Sequence, residues 1–243
     1  MNIDIKKYRI NCLLGSMGAL LMLVGDLCLS VVPANNGDSG LFMREAYFDG
    51  AFSAWRLPLL LASGLLGMAL CAFSVWACYN QVLPQYRKTR ALTLISGVIY
   101  LTSAGVIHFI IGSLADWTGV LSPLLGKSDA AALIQAQYER LVSAMALPYA
   151  GMVILILTNA YAVASGKTVL PRKMLVFHML VWQIIFVLIP DMRQLFDAEI
   201  STWDFVLSQG SGNAALFIWI FANAVWAFGM RKIQKQTEIK HYE

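Results

Sequence analysis

The sequence predicts an all-α polytopic membrane protein, a bundle of six transmembrane helices arranged as three hairpins, with both termini cytoplasmic. Three observations predict it. Hydrophobic residues make up 58% of the 243 positions and charged residues only 13%, against roughly 25% charged in a soluble domain. Six apolar stretches are long enough to cross a bilayer core, which takes about 20 residues of helix. Lys and Arg cluster in alternate connections, the pattern that sets the orientation of membrane helices.

Taken in order, the first span covers 10–32 and follows Lys6, Lys7 and Arg9. Val32-Pro33-Ala34 has the small residues of a cleavage site. The apolar run nevertheless exceeds the roughly 7–15 residues of a signal peptide, so a retained helix is expected. In the first outer loop, Phe48, Phe52 and Trp55 recur at helical spacing while Arg44, Glu45 and Asp49 fall on other faces. That pattern predicts an amphipathic helix lying in the membrane interface. The second span, 57–79, and the third, 91–113, flank a short connection with Arg87, Lys88 and Arg90.

Ser128 precedes Asp129 and an unbroken helical pattern that runs into the fourth span, 142–164. Ser128 is the expected N-cap of a helix that projects above the membrane. The fifth span, 174–190, is the shortest and is punctuated by Pro171 and Pro190. The sixth, 207–230, leads into a tail with Arg231, Lys232, Lys235 and Lys240. With Lys167, Arg172 and Lys173 in the fourth connection, most of the 18 cations flank one side, while Arg44, Arg56, Lys127, Arg140 and Arg193 flank the other. The chain thus reads as one transmembrane domain over 1–243, in the cell membrane. Gly15 and Gly18, Ser63 and Gly67, Gly105 and Gly112, and Gly210 and Gly212 have the small side chains that close helix packing in lipid uses.

Several function classes are excluded by absence. The basic residues never interleave with aromatics on one face, so nucleic acid is not a partner. There is no G-x-S-x-G elbow, phosphate-binding loop, H-E-x-x-H or C-x-x-C. Cys12, Cys28, Cys71 and Cys78 all fall inside apolar stretches, as buried small hydrophobes do. His108, His178 and His241 lie at three different depths, which does not make a His-rich metal site. No metal or cofactor is expected.

Ionisable side chains inside a bilayer are costly and usually face a protein interior or a water-filled cavity. Asp26, His108 and Asp191 rise to a common height, about 24–26 Å above the cytoplasmic ends of their spans at about 1.5 Å per residue. Ser63, Pro148 and Asn213 reach a similar height on the returning helices, with Arg56, Glu139, Arg140, Asp204 and Gln209 at or above it. Asn11, Asn159, His178, Gln183 and Asn223 belong to the cytoplasmic half. Two readings are open. These groups either pair structurally near the interface, Asp26 with Arg56 for example, or they line an outward-facing pocket. In the pocket reading His108 exchanges a proton, Asp26 orients it or acts as base, and Arg56 anchors an anionic group. Asp191, Asn213 and Gln209 complete the ligand-binding set.

Gly25-Asp26, Trp55-Arg56-Leu57, His108-Phe109 and Gly166-Lys167-Thr168 followed by Pro171-Arg172 also resemble a recurring pattern. It is that of a family of uncharacterised bacterial multi-pass proteins catalogued only as a domain of unknown function. Lys173 stands where that pattern has an aromatic residue. The resemblance implies a bacterial membrane location and a role for Asp26 and Arg56. It carries no activity.

The leading expectation is a pocket that binds an amphipathic or anionic small molecule or a lipid headgroup. The rivals are a membrane enzyme using His108 and Asp26 as an acid–base pair, a proton-coupled small transporter, and a scaffold subunit without a ligand.

Overall fold

The computed structural model describes residues 4–35, 38, 43–196, 199 and 201–240, with the backbone alone at 103, 194 and 231–240. Among the described residues, seven helices follow one another: α1 (Ile5–Ser30), α2 (Glu45–Phe48), α3 (Arg56–Gln81), α4 (Arg87–Leu125), α5 (Lys127–Ala164), α6 (Met179–Leu195) and α7 (Thr202–Lys240). A 3-10 segment, Arg172–Phe177, precedes α6. Six helical segments are long and apolar enough to cross a membrane; the fifth joins the 3-10 segment to α6.

The helices form a row, α5–α4–α3–α1–α7–α6, in which each packs chiefly on its neighbours. The two ends of the row, α5 and α6, pack on each other far less. The start of α1 and the later turns of α7 lie at one end of the bundle, where Tyr8 meets Trp226 edge-on at 6.5 Å and Arg9 lies 5.5 Å from the Phe228 ring. We call this the terminal end.

Small residues set the tightest seam. A Cβ added at Gly18 would lie 2.6 Å from the Cys71 backbone nitrogen, and one at Gly67 would lie 2.9 Å from the Gly18 carbonyl oxygen. The α1 and α3 backbones therefore approach through missing side chains, the means by which helices bind in lipid. Gly151 does the same for α5 against α4, where its Cβ would fall 2.8 Å from the Tyr100 nitrogen.

Several expected boundaries change. The second outer loop is not a loop, because α4 continues to Leu125 and α5 starts at Lys127. Gly126, at φ +83, makes the turn between them, a conformation that side chains with a Cβ disfavour. Ser128 consequently lies inside α5, and Gly126 takes the N-cap position. Each of these helices measures about 57–59 Å at 1.5 Å per residue, nearly twice a bilayer core of about 30 Å. Pro190 does not end the fifth span but sits inside α6, which runs on to Leu195.

The expected interfacial helix is also corrected. Only Glu45–Phe48 is helical, and the segment packs down onto the helix ends. Tyr47 and Phe52 are buried against each other at 5.7 Å and 78°. Arg44 is completely buried: its guanidinium donates to the carbonyls of Ser30, Val32 and Pro33 at 2.8, 2.6 and 3.1 Å. It also faces Asp38 at 3.6 Å and stacks on Phe205 at 4.1 Å. A helix end leaves carbonyls without partners, and here an arginine from the following loop satisfies those of α1 and of the chain just beyond it.

At the terminal end the two short connections are stitched together. Val82 and Thr168 form an antiparallel bridge, with Leu83 N donating to Lys167 O and Val169 N to Gln81 O. Buried apolar side chains form two clusters, one around Tyr8, Cys71 and Trp219 and the other around Leu29, Leu60 and Ile134. All four cysteines are buried and unpaired by disulfides.

Candidate functional site

A cavity of about 350 Å³ lies where the two apolar clusters meet. It is walled by α1, α4, α5, α6 and α7, and its size falls within the roughly 300–1,000 Å³ of small-molecule sites. Met22, Ile107, Ile111, Met152 and Val187 supply apolar wall, and Asp26, His108 and Asn213 supply polar groups. Tyr149 of α5 and Val187 of α6 line the same cavity yet are 44% and 39% exposed. The cavity therefore reaches the outer surface of the bundle between the two helices that hardly pack together.

Asp26 anchors the polar part. Asn213 Nδ2 donates to Asp26 Oδ2 at 2.7 Å, tying α7 to α1, and Tyr100 of α4 donates its hydroxyl to Asn213 Oδ1 at 3.5 Å. His108 Nε2 lies 3.6 Å from Asp26 Oδ1, beyond hydrogen-bond length. The His108 ring is wedged against glycines: a Cβ at Gly25 would be 3.3 Å, and one at Gly64 3.6 Å, from its Nδ1. That Nδ1 has no hydrogen-bond partner among the described residues.

Of the residues singled out from the sequence, Asp26, His108, Asn213 and Gln209 come together around this cavity. Arg56 does not. Its Nη1 donates to Cys28 O at 2.8 Å and its Nη2 to Val31 O at 3.0 Å, so it caps α1 beside Arg44. The expected Asp26–Arg56 pair is thus replaced by Asp26–Asn213. Asp191 is exposed and is not part of the lining. Asp204 pairs with Arg193 at 3.2 Å and accepts from Ser201 N at 2.8 Å, reaching back across the first turn of α7 as a capping box does.

Sequence reasoning missed Tyr100, Tyr149 and Ser211, and assigned Gln183 to the other half of the membrane. A signal was present for α7, because Ser208-Gln209-Gly210-Ser211-Gly212-Asn213 is a polar run inside a span. Gln183 follows a 3-10 segment, whose rise of about 2.0 Å per residue against 1.5 Å in an α-helix an even helical count leaves out. Its Nε2 donates to Ser211 Oγ at 2.8 Å.

His178, on the terminal side, is fully buried with Asn159, and both of its ring nitrogens have partners. Its Nδ1 accepts from Leu180 N at 3.1 Å, so its hydrogen sits on Nε2 and faces Asn159 Oδ1 at 3.1 Å. Among the described residues, no three His, Cys, Asp or Glu side chains gather as a metal site would need.

The sequence matches the model of a family of unknown function, DUF6796, over residues 1–225. The chain belongs to that family. The match takes in the first five spans, most of the sixth and all the residues that wall the cavity, so in this DUF6796 member the site lies wholly within the family region. It also agrees with the resemblance drawn from Gly25-Asp26 and His108-Phe109, to a family known only as a domain of unknown function. No curated protein and no solved structure matches the chain.

Proposed function

We propose that this protein takes an amphipathic small molecule from the bilayer into the cavity between α5 and α6, with the molecule's polar end towards Asp26. One observation carries the reading: polar groups at Asp26, His108 and Asn213 share one cavity with apolar side chains, and Tyr149 and Val187 bring its rim to the outer surface. Small-molecule sites combine a mainly apolar wall with a few convergent polar groups. The cations at the terminal end support a cytoplasmic location for both termini. The cavity then belongs to the outer half of the cell membrane, and the resemblance noted above implies a bacterial one. The chain acts as one transmembrane unit over 1–243.

A photoreactive fatty alcohol added to the protein in nanodiscs tests this. Labelling should concentrate on Tyr149, Met152 and Val187, and Val187→Trp, which fills the rim, should lower it by about tenfold. Labelling spread evenly over the outer helix faces and indifferent to Val187→Trp would overturn the reading.

A second reading is favoured by the approach of His108 to Asp26 at 3.6 Å. A ligand hydroxyl or amine entering between them would meet a base and an acid together, the arrangement of general acid–base catalysis. His108→Ala would then leave a bound ligand unprocessed. Equal turnover in wild type and His108→Ala protein would remove the enzyme reading while leaving the binding site.

A further inference from the structure

We propose that the ligand of this cavity is a membrane-soluble primary amine, held by its ammonium group on Asp26. The inference rests on the cavity reading and names the chemistry of the occupant. It comes from an inventory of which buried lining atoms already have partners.

Asn213 Nδ2 is engaged by Asp26, and Asn213 Oδ1 by Tyr100. Gln183 donates through Nε2 to Ser211, and the Ser211 hydroxyl in turn donates to Ser208 O at 2.8 Å. That chain fixes the direction of the Gln183 amide and leaves its Oε1 buried without a partner among the described residues. Gln209 has both amide atoms buried and without partners. Among the described residues, Asp26 Oδ1 faces His108, at 3.6 Å. Among the described residues the unmatched groups are therefore mainly acceptors: Asp26 Oδ1, Gln183 Oε1 and Gln209 Oε1, against Gln209 Nε2 as a donor and His108 Nδ1, whose role follows its tautomer.

Among the described residues, no Lys or Arg lines the cavity. Arg56, the cation expected to hold an anion here, is engaged with backbone carbonyls. An anionic headgroup would meet a carboxylate and amide oxygens with nothing to balance it, a costly burial. His108 does not supply the balance. Its Nδ1 is packed against Gly25 and Gly64 and has no partner among the described residues, so the ring brings no fixed positive charge to the cavity. An ammonium group brings three N–H donors and one positive charge, matching the free acceptors in number and sign. Its alkyl chain would lie along Met152 and Val187 and leave between α5 and α6.

The test compares dodecylamine, dodecanol, dodecanoate and dodecyltrimethylammonium on the protein in nanodiscs of zwitterionic lipid, read by native mass spectrometry. Dodecylamine should bind at least about tenfold more tightly than the other three, as a charge-assisted hydrogen-bonded group does. Asp26→Asn and Gln183→Leu should each erase most of that preference. Asp191→Asn, which removes an equal charge outside the cavity, should leave it intact. Equal loss in Asp191→Asn would reduce the effect to general charge attraction and overturn the proposal. Dodecanol or dodecanoate binding as well as the amine, and still blocked by Val187→Trp, would also overturn it while the cavity reading stands. Binding of all four probes unaffected by Val187→Trp would remove both. Melting temperatures of the variants near that of wild type show that losses reflect recognition rather than unfolding.

Discussion

Arg44 shows how a charged side chain in a loop can become a structural centre. It is 0% exposed, and its ion-pair partner Asp38 has a side chain only 1% exposed. Removing one member of a buried pair leaves the other charge uncompensated, which costs about 3–5 kcal/mol. Arg44→Ala should accordingly lower thermal stability in detergent by that order, and Asp38→Asn, which keeps a polar group in place, by less. Tyr47 adds a pH signature. Burial pushes its phenol up from 10.0 to about 12, Asp38 adds to the shift, and the Arg44 and Arg56 cations oppose it. A folded value above the unfolded one means that the contribution is complete below pH 10 and is lost as pH rises towards about 12. Tyr47→Phe should flatten that part of the stability profile, and it also removes the 2.6 Å bond to Leu29 O. None of this was legible beforehand, because a loop arginine is ordinarily solvated. The carbonyls that enclose Arg44 become available only once α1 ends where it does.

At the scale of the element, hydropathy located the spans well because lipid demands a continuous apolar run. It failed where helices leave the bilayer. Residues 114–141 mix apolar and polar side chains, so the windows that detect spans stop short, while backbone hydrogen bonding and the α4–α5 contact carry the helices on to Gly126. The glycine seams were legible as small residues, but not which partner each would meet. Gly18 and Gly229 make a direct contrast. Gly18→Ala places a methyl 2.6 Å from the Cys71 nitrogen and should cost about 1–3 kcal/mol through overpacking. Gly229 has nothing within 4 Å of an added Cβ, so Gly229→Ala should be neutral or stabilise by roughly 0.5–1 kcal/mol. Chemical denaturation of the two variants in the same detergent checks both signs.

At the scale of the whole molecule, the sequence supplied polar residues at similar heights but not their grouping around the axis. Asp26 and Asn213 are 187 positions apart, and their meeting depends on α7 packing beside α1, which hydropathy does not encode. Arg56 shared their height and yet belongs to the cap. Membrane orientation is testable on intact cells, because the native cysteines are all buried and give little background. Ser128→Cys, at the α4–α5 tip, should react with a membrane-impermeant thiol reagent from outside. Lys88→Cys should react only after permeabilisation, and the reverse pattern would invert the proposed orientation.

The stitching of the Val82 and Thr168 segments has a mechanical consequence. The chain from α5 into α6 is tied down at the terminal end, while α5 and α6 have little else in common along their length. The pair is joined at one end and, on the proposed reading, offers its loosely packed length as the way in. On that reading, lateral pressure in the surrounding lipid would set the width of the opening. Thicker or more tightly compressed bilayers should slow the entry of any occupant without weakening its hold once inside.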